Sequence, residues 1–530
     1  MLQTTFMKTF ETINDEITSG INNSYWINST KPLTYQTLNS DKKADVLVIG
    51  GGIAGITTAY CLSKSGKKVI VLEDGNLGSG ETGRTTAQIS NALDDRYYDL
   101  ENYYGHEKTK LIAQSHTAAI NWINKTVTEN GIDCNFKLVD GYLFLDPSDK
   151  PENLGKEFKA TQNAGLPTQF LSDIPAMAEA DHKECIKFPG QGQFHILSYI
   201  KGLADDIVEM GGEIYTNSHA EEISKHGAKA NGFTVTADHI VVATNTPVNN
   251  TFTIHNKQFA YRTYVIGAKI PKGTLPYAMW WDTGDMDSKW VAKPYHYIRL
   301  EPLDDQYDLL ISGGEDHKTG QADEEDILEE ERYQNLTNWT KEHFPYFNEV
   351  EYKWSGQVME PVDCLAFIGK NPGDDNIYII TGDSGNGMTH CTIGGLLVTD
   401  LILGIENPWK DLYDPSRITL KTAGDFLSEN GNMAYNLVKD WVSGGDVKNA
   451  DELGAGEGAI ISSGLKKVAA YRDENGVLHT CTAVCPHLGG ILQWNKDEKS
   501  FDCPLHGSRF TTDGVVVNGP AISDLKKVEL

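Results

Sequence analysis

The chain has 530 residues, 39% of them hydrophobic and 23% charged, and a formal net charge of −28. This mix excludes disorder as the dominant state, and the length accommodates about three or four domains. The acidic excess repels phosphate backbones and anionic lipid, so neither nucleic acid nor a membrane surface is an expected partner.

Residues 1–43 are polar, rich in Asn, Ser and Thr, and read as a loop-like lead-in with one short helix around Phe6–Ile17. Glu11, Asp15 and Glu16 stand where a secretory signal has its apolar core, and the longest apolar stretch, Gly394–Gly404, is too short to span a bilayer. We therefore expect a cytoplasmic protein with no membrane segment.

Ala44–Ile49 and Val69–Leu72 are short apolar runs of the buried-strand type. Between them Ile56, Ala59, Tyr60 and Leu62 recur with a helical period, which makes a βαβ unit. Its turn reads Gly50-Gly51-Gly52-Ile53-Ala54-Gly55, a G-x-G-x-x-G. Gly50 permits the tight turn, Gly52 lets backbone approach a diphosphate at the helix N-terminus, and Gly55 lets helix and sheet pack closely. Glu73 ends the second strand 23 residues after Gly50, where a carboxylate accepts ribose hydroxyls. The expected dinucleotide contacts are Gly50, Gly52, Ile53, Ala54, Gly55 and Glu73.

The middle of the chain mixes helices over Lys108–Thr128 and Tyr199–Met210 with strands over Gly141–Leu145, Ile240–Ala243, Tyr261–Ile270, Tyr295–Glu301 and Leu309–Ser312. Asp323–Glu331 holds seven acids in nine residues and reads as a solvated helix face, not a metal site. Ile377–Thr381 is another buried strand, followed by a Gly-rich turn and an apolar helix over Gly394–Leu403. A connector begins after Pro408 and Pro415. From about Asn430, short strands with Gly444-Gly445, Asn475-Gly476 and Gly489-Gly490 turns predict a small all-β domain.

Eight cysteines are too few for a secreted disulfide framework, so a close Cys/His group points to metal. Such a group stands near the C-terminus: Cys485-Pro486-His487 and Cys503-Pro504-Leu505-His506. Two loops, each giving one Cys and one His, supply the two thiolates and two imidazoles of a Rieske [2Fe–2S] centre. A zinc site recruiting Cys481 is the alternative, against which the C-x-H box counts because it is unusual for zinc.

Three further segments carry a resemblance. Gly78-Ser79-Gly80-Glu81-Thr82-Gly83-Arg84-Thr85-Thr86-Ala87, Ala243-Thr244-Asn245-Thr246-Pro247 and Gly382-Asp383-Ser384-Gly385-Asn386-Gly387-Met388-Thr389 occur in the order of similar segments in the D-amino-acid oxidase and glycine oxidase superfamily. With the Cys/His boxes, Tyr25-Trp26-Ile27 and the middle segments around Tyr261 and Tyr295, the chain resembles the bacterial FAD-dependent oxidoreductases with a C-terminal Rieske domain. The resemblance implies an α/β Rossmann-like FAD domain (44–95, 190–250 and 360–405) interleaved with an antiparallel α+β substrate domain (96–189 and 251–359). A lead-in (1–43), a linker (406–430) and a small all-β Rieske domain (431–530) complete the expected layout.

It also implies one FAD and one [2Fe–2S] cluster held by Cys485, His487, Cys503 and His506. Arg84, Thr85 and Thr86 are expected towards the flavin ring, with Gly385, Asn386, Gly387 and Met388 in the C-terminal flavin-binding segment. Gly83–Gln88 has no His to tether the flavin, and Cys364 and Cys391 are the only later candidates, so FAD is expected to be non-covalent. Rieske proteins of respiratory complexes have a disulfide between the ligand loops; Gly490 and Leu505 stand at those positions here.

The activity implied is oxidation of the C–N bond of a small-molecule amine or amino acid derivative. Single electrons then pass through the cluster to a partner such as a ferredoxin. Candidate catalytic residues are Arg262 or Arg299 for a substrate carboxylate, Tyr264 beside Tyr261, Tyr297 and Trp281 as a cage, and His296 and His317 for proton movement. The alternatives are a reductive flavoenzyme or monooxygenase fed through the cluster, and a non-enzymatic electron carrier.

Overall fold

Val46-Leu47-Val48-Ile49 is buried on both faces because it lies at the centre of a parallel sheet. Its strand, Lys42–Ile49, pairs in parallel with Val69–Leu72 and with Phe233–Val242. Ile377–Thr381 adds in parallel beyond Phe233–Val242, and Glu213–Tyr215 beyond Val69–Leu72. Phe367–Lys370 closes one edge antiparallel, and a hairpin of Glu221–Ser224 and Gly227–Ala230 hangs from Phe233–Val242. The helix Ile53–Lys64 and the apolar helix Gly387–Leu403 lie against each other, and glycine sets the spacing. A Cβ on Gly395 would fall 2.6 Å from Thr57 Cγ2, and one on Gly394 would fall 2.7 Å from Ile380 Cγ2.

This computed structural model describes residues 19–178, 184–249, 254–322, 327–463 and 466–530. The expected helix at Phe6–Ile17 and the acids Asp323, Glu324, Glu325 and Asp326 lie outside them. Glu329, Glu330 and Glu331 form the first turn of the helix Glu329–His343, where acids complement the helix dipole. Among the described residues no helix is long and apolar enough to cross a membrane.

A second sheet, of nine strands, is built around the long strand Gln258–Pro271, flanked antiparallel by Val350–Pro361 and Tyr307–Lys318. It is mixed, not antiparallel throughout, because Ala278–Asp282 pairs in parallel with Lys137–Phe144. The C-terminal unit has a three-stranded sheet over Glu457–Thr482 and a four-stranded sheet over Gln493–Asn518.

One expectation is corrected. Ala423–Val442 is a 20-residue helix that crosses the boundary expected between linker and all-β domain. Its Gly424, Gly431, Asn432 and Asn436 are weak helix formers, which hid it in the sequence. Contacts from the second sheet hold it: Tyr261 donates to Glu429 Oε1 at 3.2 Å, and Lys318 bonds Glu429 and, at 3.1 Å, Asn432.

The three units meet on one carboxylate. Glu498 of the C-terminal unit is 1% exposed and accepts from Arg84 Nη1 and Arg262 Nη2, each at 3.1 Å. The Ser355 hydroxyl donates to the same oxygen. Arg84 also donates to the Gly20 carbonyl at 2.6 Å and the Ser355 carbonyl at 2.9 Å. Arg509, equally buried, donates to the Ser19 carbonyl and pairs with Asp502 at 3.1 Å. The lead-in is therefore clamped between the units; a Cβ on Gly20 would fall 2.0 Å from Glu498 Oε2.

Glu498→Ala leaves two buried guanidinium groups without their shared partner and should cost about 3–5 kcal/mol in chemical unfolding. Burial raises the pKa of Glu498, but Arg84, Arg262 and Arg509 outweigh it and hold the carboxyl down at about 2. A depressed carboxylate stabilises fully above the ordinary glutamate range and loses that contribution as pH falls through its folded value. Wild-type stability should therefore drop between about pH 5 and 2 with a component that Glu498→Ala lacks.

Candidate active site and metal centre

A cavity of about 620 Å³ lies against both sheets. Gly50, Gly52, Ile53, Ala54 and Glu73 line it, as do Thr85, Thr86, Gly385, Asn386, Gly387 and Met388. Gly50 sits at φ 107°, and a Cβ there would fall 2.3 Å from the Ala243 carbonyl. A Cβ on Gly55 would fall 1.9 Å from the Gly50 carbonyl, so Gly55 packs helix on turn behind the cavity wall. The helix starts at Gly52 without a side-chain cap, and Glu73 accepts from the Gly51 and Gly75 N–H groups at 2.5 and 2.9 Å. A glycine-walled cleft, a helix N-terminus and a carboxylate beyond it fit FAD.

Arg84 lines the same cavity, yet its guanidinium is engaged by Glu498, Ser355 and Gly20. Its placement joins the flavin loop to the C-terminal unit and does not fit the flavin-facing role expected for it.

None of the five expected catalytic residues lines the cavity. Alternation along Gln258–Pro271 puts Tyr261, Thr263 and Val265 on the cavity side and turns Arg262 and Tyr264 away. Arg262 meets Glu498 instead. Tyr264 donates to His317 Nε2 at 3.0 Å while His317 Nδ1–H donates to the Lys318 carbonyl at 2.8 Å; burial, then Arg332, holds His317 neutral. Arg299 is spent on Glu301 and on the Ala87 and Phe194 carbonyls at 2.8 and 3.2 Å. His296 lies between Asp282 at 2.8 Å and Glu315 at 3.4 Å and stacks on Trp339. Burial lowers its pKa, but the two carboxylates outweigh this and raise it to about 10, so it is a fixed cation.

The cavity instead presents acids the sequence reading did not single out: Asp94, Asp95, Asp316, Glu360 and Asp383. Ser384 Oγ lies 2.7 Å from Asp95 Oδ2 and 2.8 Å from Glu360 Oε2. One hydroxyl proton cannot serve both oxygens, so this arrangement needs a proton on one carboxyl. Burial raises both pKa values, and for Glu360 the nearby Asp95 and Asp94 raise it further. Burial likewise raises Asp94 to about 8 and Asp316 to about 7. Ser384, between the lining residues Asp383 and Gly385, and Cys364, on the cavity wall, hold left-handed backbone at φ 45° and 69°, strain of the kind stored at working sites. Asp94-Asp95 directly after the apolar Ala92-Leu93 was the available signal.

The four expected metal ligands converge. Each cysteine opens the same turn: the Cys485 carbonyl accepts from Gly489 N–H and the Cys503 carbonyl from Gly507 N–H, both at 3.0 Å. Cys485 N–H donates to the Gly490 carbonyl and Cys503 N–H to the Ser508 carbonyl, both at 2.8 Å. Gly489 and Gly507 sit at φ 75° and 76°. The two turns bring the His487 and His506 rings to 4.9 Å between centroids. Both ring nitrogens of His506 are buried without a hydrogen-bond partner, and coordination of a metal by one of them would satisfy it. This donor set of two thiols and two imidazoles fits a mixed-ligand [2Fe–2S] cluster. A Cβ on Gly490 would fall 2.8 Å from Leu505 Cδ1, so the positions of the respiratory-type disulfide do face each other and hold no cysteine here.

Cys503→Ser should abolish the cluster's rhombic electron paramagnetic resonance signal yet keep the flavin spectrum, since the flavin wall belongs to other elements. Cys364 and Cys391 both line the flavin cavity, and burial pushes both thiols up, leaving little thiolate to attack a flavin. Acid precipitation should therefore release the yellow colour into the supernatant; colour kept in the pellet would mean a covalent link.

Residues 45–401 match the FAD dependent oxidoreductase family (DAO), and residues 444–529 match the Rieske [2Fe-2S] domain. The chain is 32% identical over 515 residues to YhfW of Bacillus subtilis (strain 168), described as a Rieske 2Fe-2S iron-sulfur protein, covering 96% of this chain and 97% of that one. It is 26% identical over 404 residues to the gamma-glutamylputrescine oxidoreductase of Escherichia coli (strain K12), covering 72% and 88%. Glycine oxidase from Geobacillus kaustophilus shares the fold with a TM-score of 0.57 at 17% identity, over 71% of this chain and 99% of that one. Glycine-walled cleft, paired Cys/His turns and these matches together place the chain in the DAO family of FAD-dependent oxidoreductases, with FAD as its flavin and a C-terminal Rieske [2Fe–2S] domain.

Proposed function

We propose that this enzyme is a dehydrogenase for the C–N bond of a cationic amine and passes single electrons through its Rieske cluster to an external one-electron carrier. The observation that carries this reading is the acidic cavity: Asp94, Asp95, Asp316, Glu360 and Asp383 line it, while Arg262 and Arg299 face elsewhere. Buried carboxyls ionise when a cation sits beside them and so stabilise an ammonium ion, whereas a carboxylate would find Arg96 and Lys293 already donating to backbone carbonyls, which favours amines over amino acids. The relative that acts on gamma-glutamylputrescine points the same way.

FAD supplies the hydride acceptor and the cluster a one-electron carrier. The residues of the chain prepare the substrate. Asp94 and Asp316 accept hydrogen bonds from the ammonium group and ionise beside it. An amine gives up hydride only once its nitrogen has lost a proton, so a base is required. Glu360 and Asp95 share Ser384 and one proton between them, and the ionised member of the pair takes the proton of the amine. Tyr261, Tyr295, Tyr297 and Trp281 line the cavity and exclude water from the reacting carbon.

An anaerobic screen should bleach the flavin with mono-, di- or polyamines and not with the matching amino acids. Glu360→Gln should slow that bleaching by about 10²–10⁴-fold while the flavin stays bound. Bleaching by amino acids alone, or flavin reduction only by reduced ferredoxin, would refute the amine reading.

A further inference from the structure

The imidazole side of the cluster site faces inward. His506 is 3% exposed, and the ring of His255, 2% exposed, stands edge-on to both ligand histidines. Its centroid lies 5.1 Å from that of His487 and 6.2 Å from that of His506. Among the described residues no other ring from outside the C-terminal unit packs on the ligand histidines.

His255 opens the short turn His255–Lys257 ahead of the strand Gln258–Pro271, and that turn is fixed to the flavin cavity. The Lys257 carbonyl accepts from Val362 N–H at 2.9 Å, and Gln258 donates to Thr381 Oγ1 at 3.0 Å. Val362 and Thr381 both line the cavity. The second ligand loop is docked as tightly: a Cβ on Gly507 would fall 2.3 Å from Ala260 Cβ, and Gln357, another cavity residue, donates to the Gly507 carbonyl at 3.2 Å. His487 and His506 would together hold one iron of the cluster, and neutral imidazoles favour ferrous iron more than thiolates do.

We propose that His255 is a positioning residue for electron exchange between flavin and cluster. It holds the ligand imidazoles against the flavin body, and the two cofactors exchange single electrons in place, without a swing of the C-terminal unit. This rests on the two-cofactor reading above. In the exchange the reduced flavin is oxidised by one electron and releases a proton to water. The cluster is reduced by that electron, its two ferric irons becoming one ferric and one ferrous.

The test compares wild type, His255→Ala and His255→Phe, each holding both cofactors. A flash of light on a deazaflavin photoreductant reduces the flavin anaerobically, flavin and cluster absorbance are followed, and the reduced cluster's paramagnetic resonance is recorded. His255→Ala should slow exchange by about tenfold or more per intact cluster and shift the rhombic signal, as loss of a group that orients a metal ligand does. His255→Phe keeps the ring contact and should stay close to wild type in both. Unchanged exchange and signal in His255→Ala, or slowing that only tracks lost iron, would overturn the proposal and leave the proposed function standing. No exchange in wild type would overturn both.

Discussion

Everything in the molecule turns on a carboxylate that water does not reach. Glu498 comes from the C-terminal unit, Arg84 from the flavin loop, and Arg262 and Ser355 from adjacent strands of the second sheet. A buried ion pair is weak support for stability when it could be exchanged for apolar side chains, because desolvation offsets much of the attraction. It is strong support for geometry, since each partner is costly to leave unmatched. Three units that share one oxygen cannot slide past one another without stranding a charge. The cavity and the cluster site are therefore held in one register.

Charge is sorted within the site. Arg262 and Arg299 are consumed in holding the scaffold, and the cations that do line the cavity are engaged as well: Arg96 by the Leu93 and Asp282 carbonyls and Lys293 by the Ser288 carbonyl. Burial keeps several of the cavity's carboxyls partly protonated, which lets an acidic pocket exist beside a diphosphate cofactor without prohibitive repulsion. His296, pinned between Asp282 and Glu315, is a permanent cation built into the second sheet, not a titrating group.

Motifs that depend on local spacing were legible in the sequence. The G-x-G-x-x-G turn, Glu73, the Gly382–Thr389 segment and both Cys/His boxes need particular residues at short intervals, and the structure gathers each set. Roles that depend on which face of a strand a side chain occupies were not legible. Arg262 and Tyr264 differ from Tyr261 and Thr263 only in parity, and nothing local says which parity meets the cavity. Arg299 was hidden by its partners, the carbonyls of Ala87 and Phe194, which carry no side-chain signal. The helix Ala423–Val442 was missed because long-range contacts, not propensity, hold it.

The clamp on the lead-in bears on how the chain is assembled. Ser19 and Gly20 are among the first described residues to leave the ribosome, yet Arg509 and Glu498, which bind and enclose them, are among the last. During synthesis Arg84 and Arg262 are made long before the anion that balances them. The flavin-binding body must wait, incomplete at its own surface, for the final portion of the chain. The two cofactor units are consequently one folding problem, and the flavin half cannot be regarded as a finished domain to which an iron–sulfur module was merely appended.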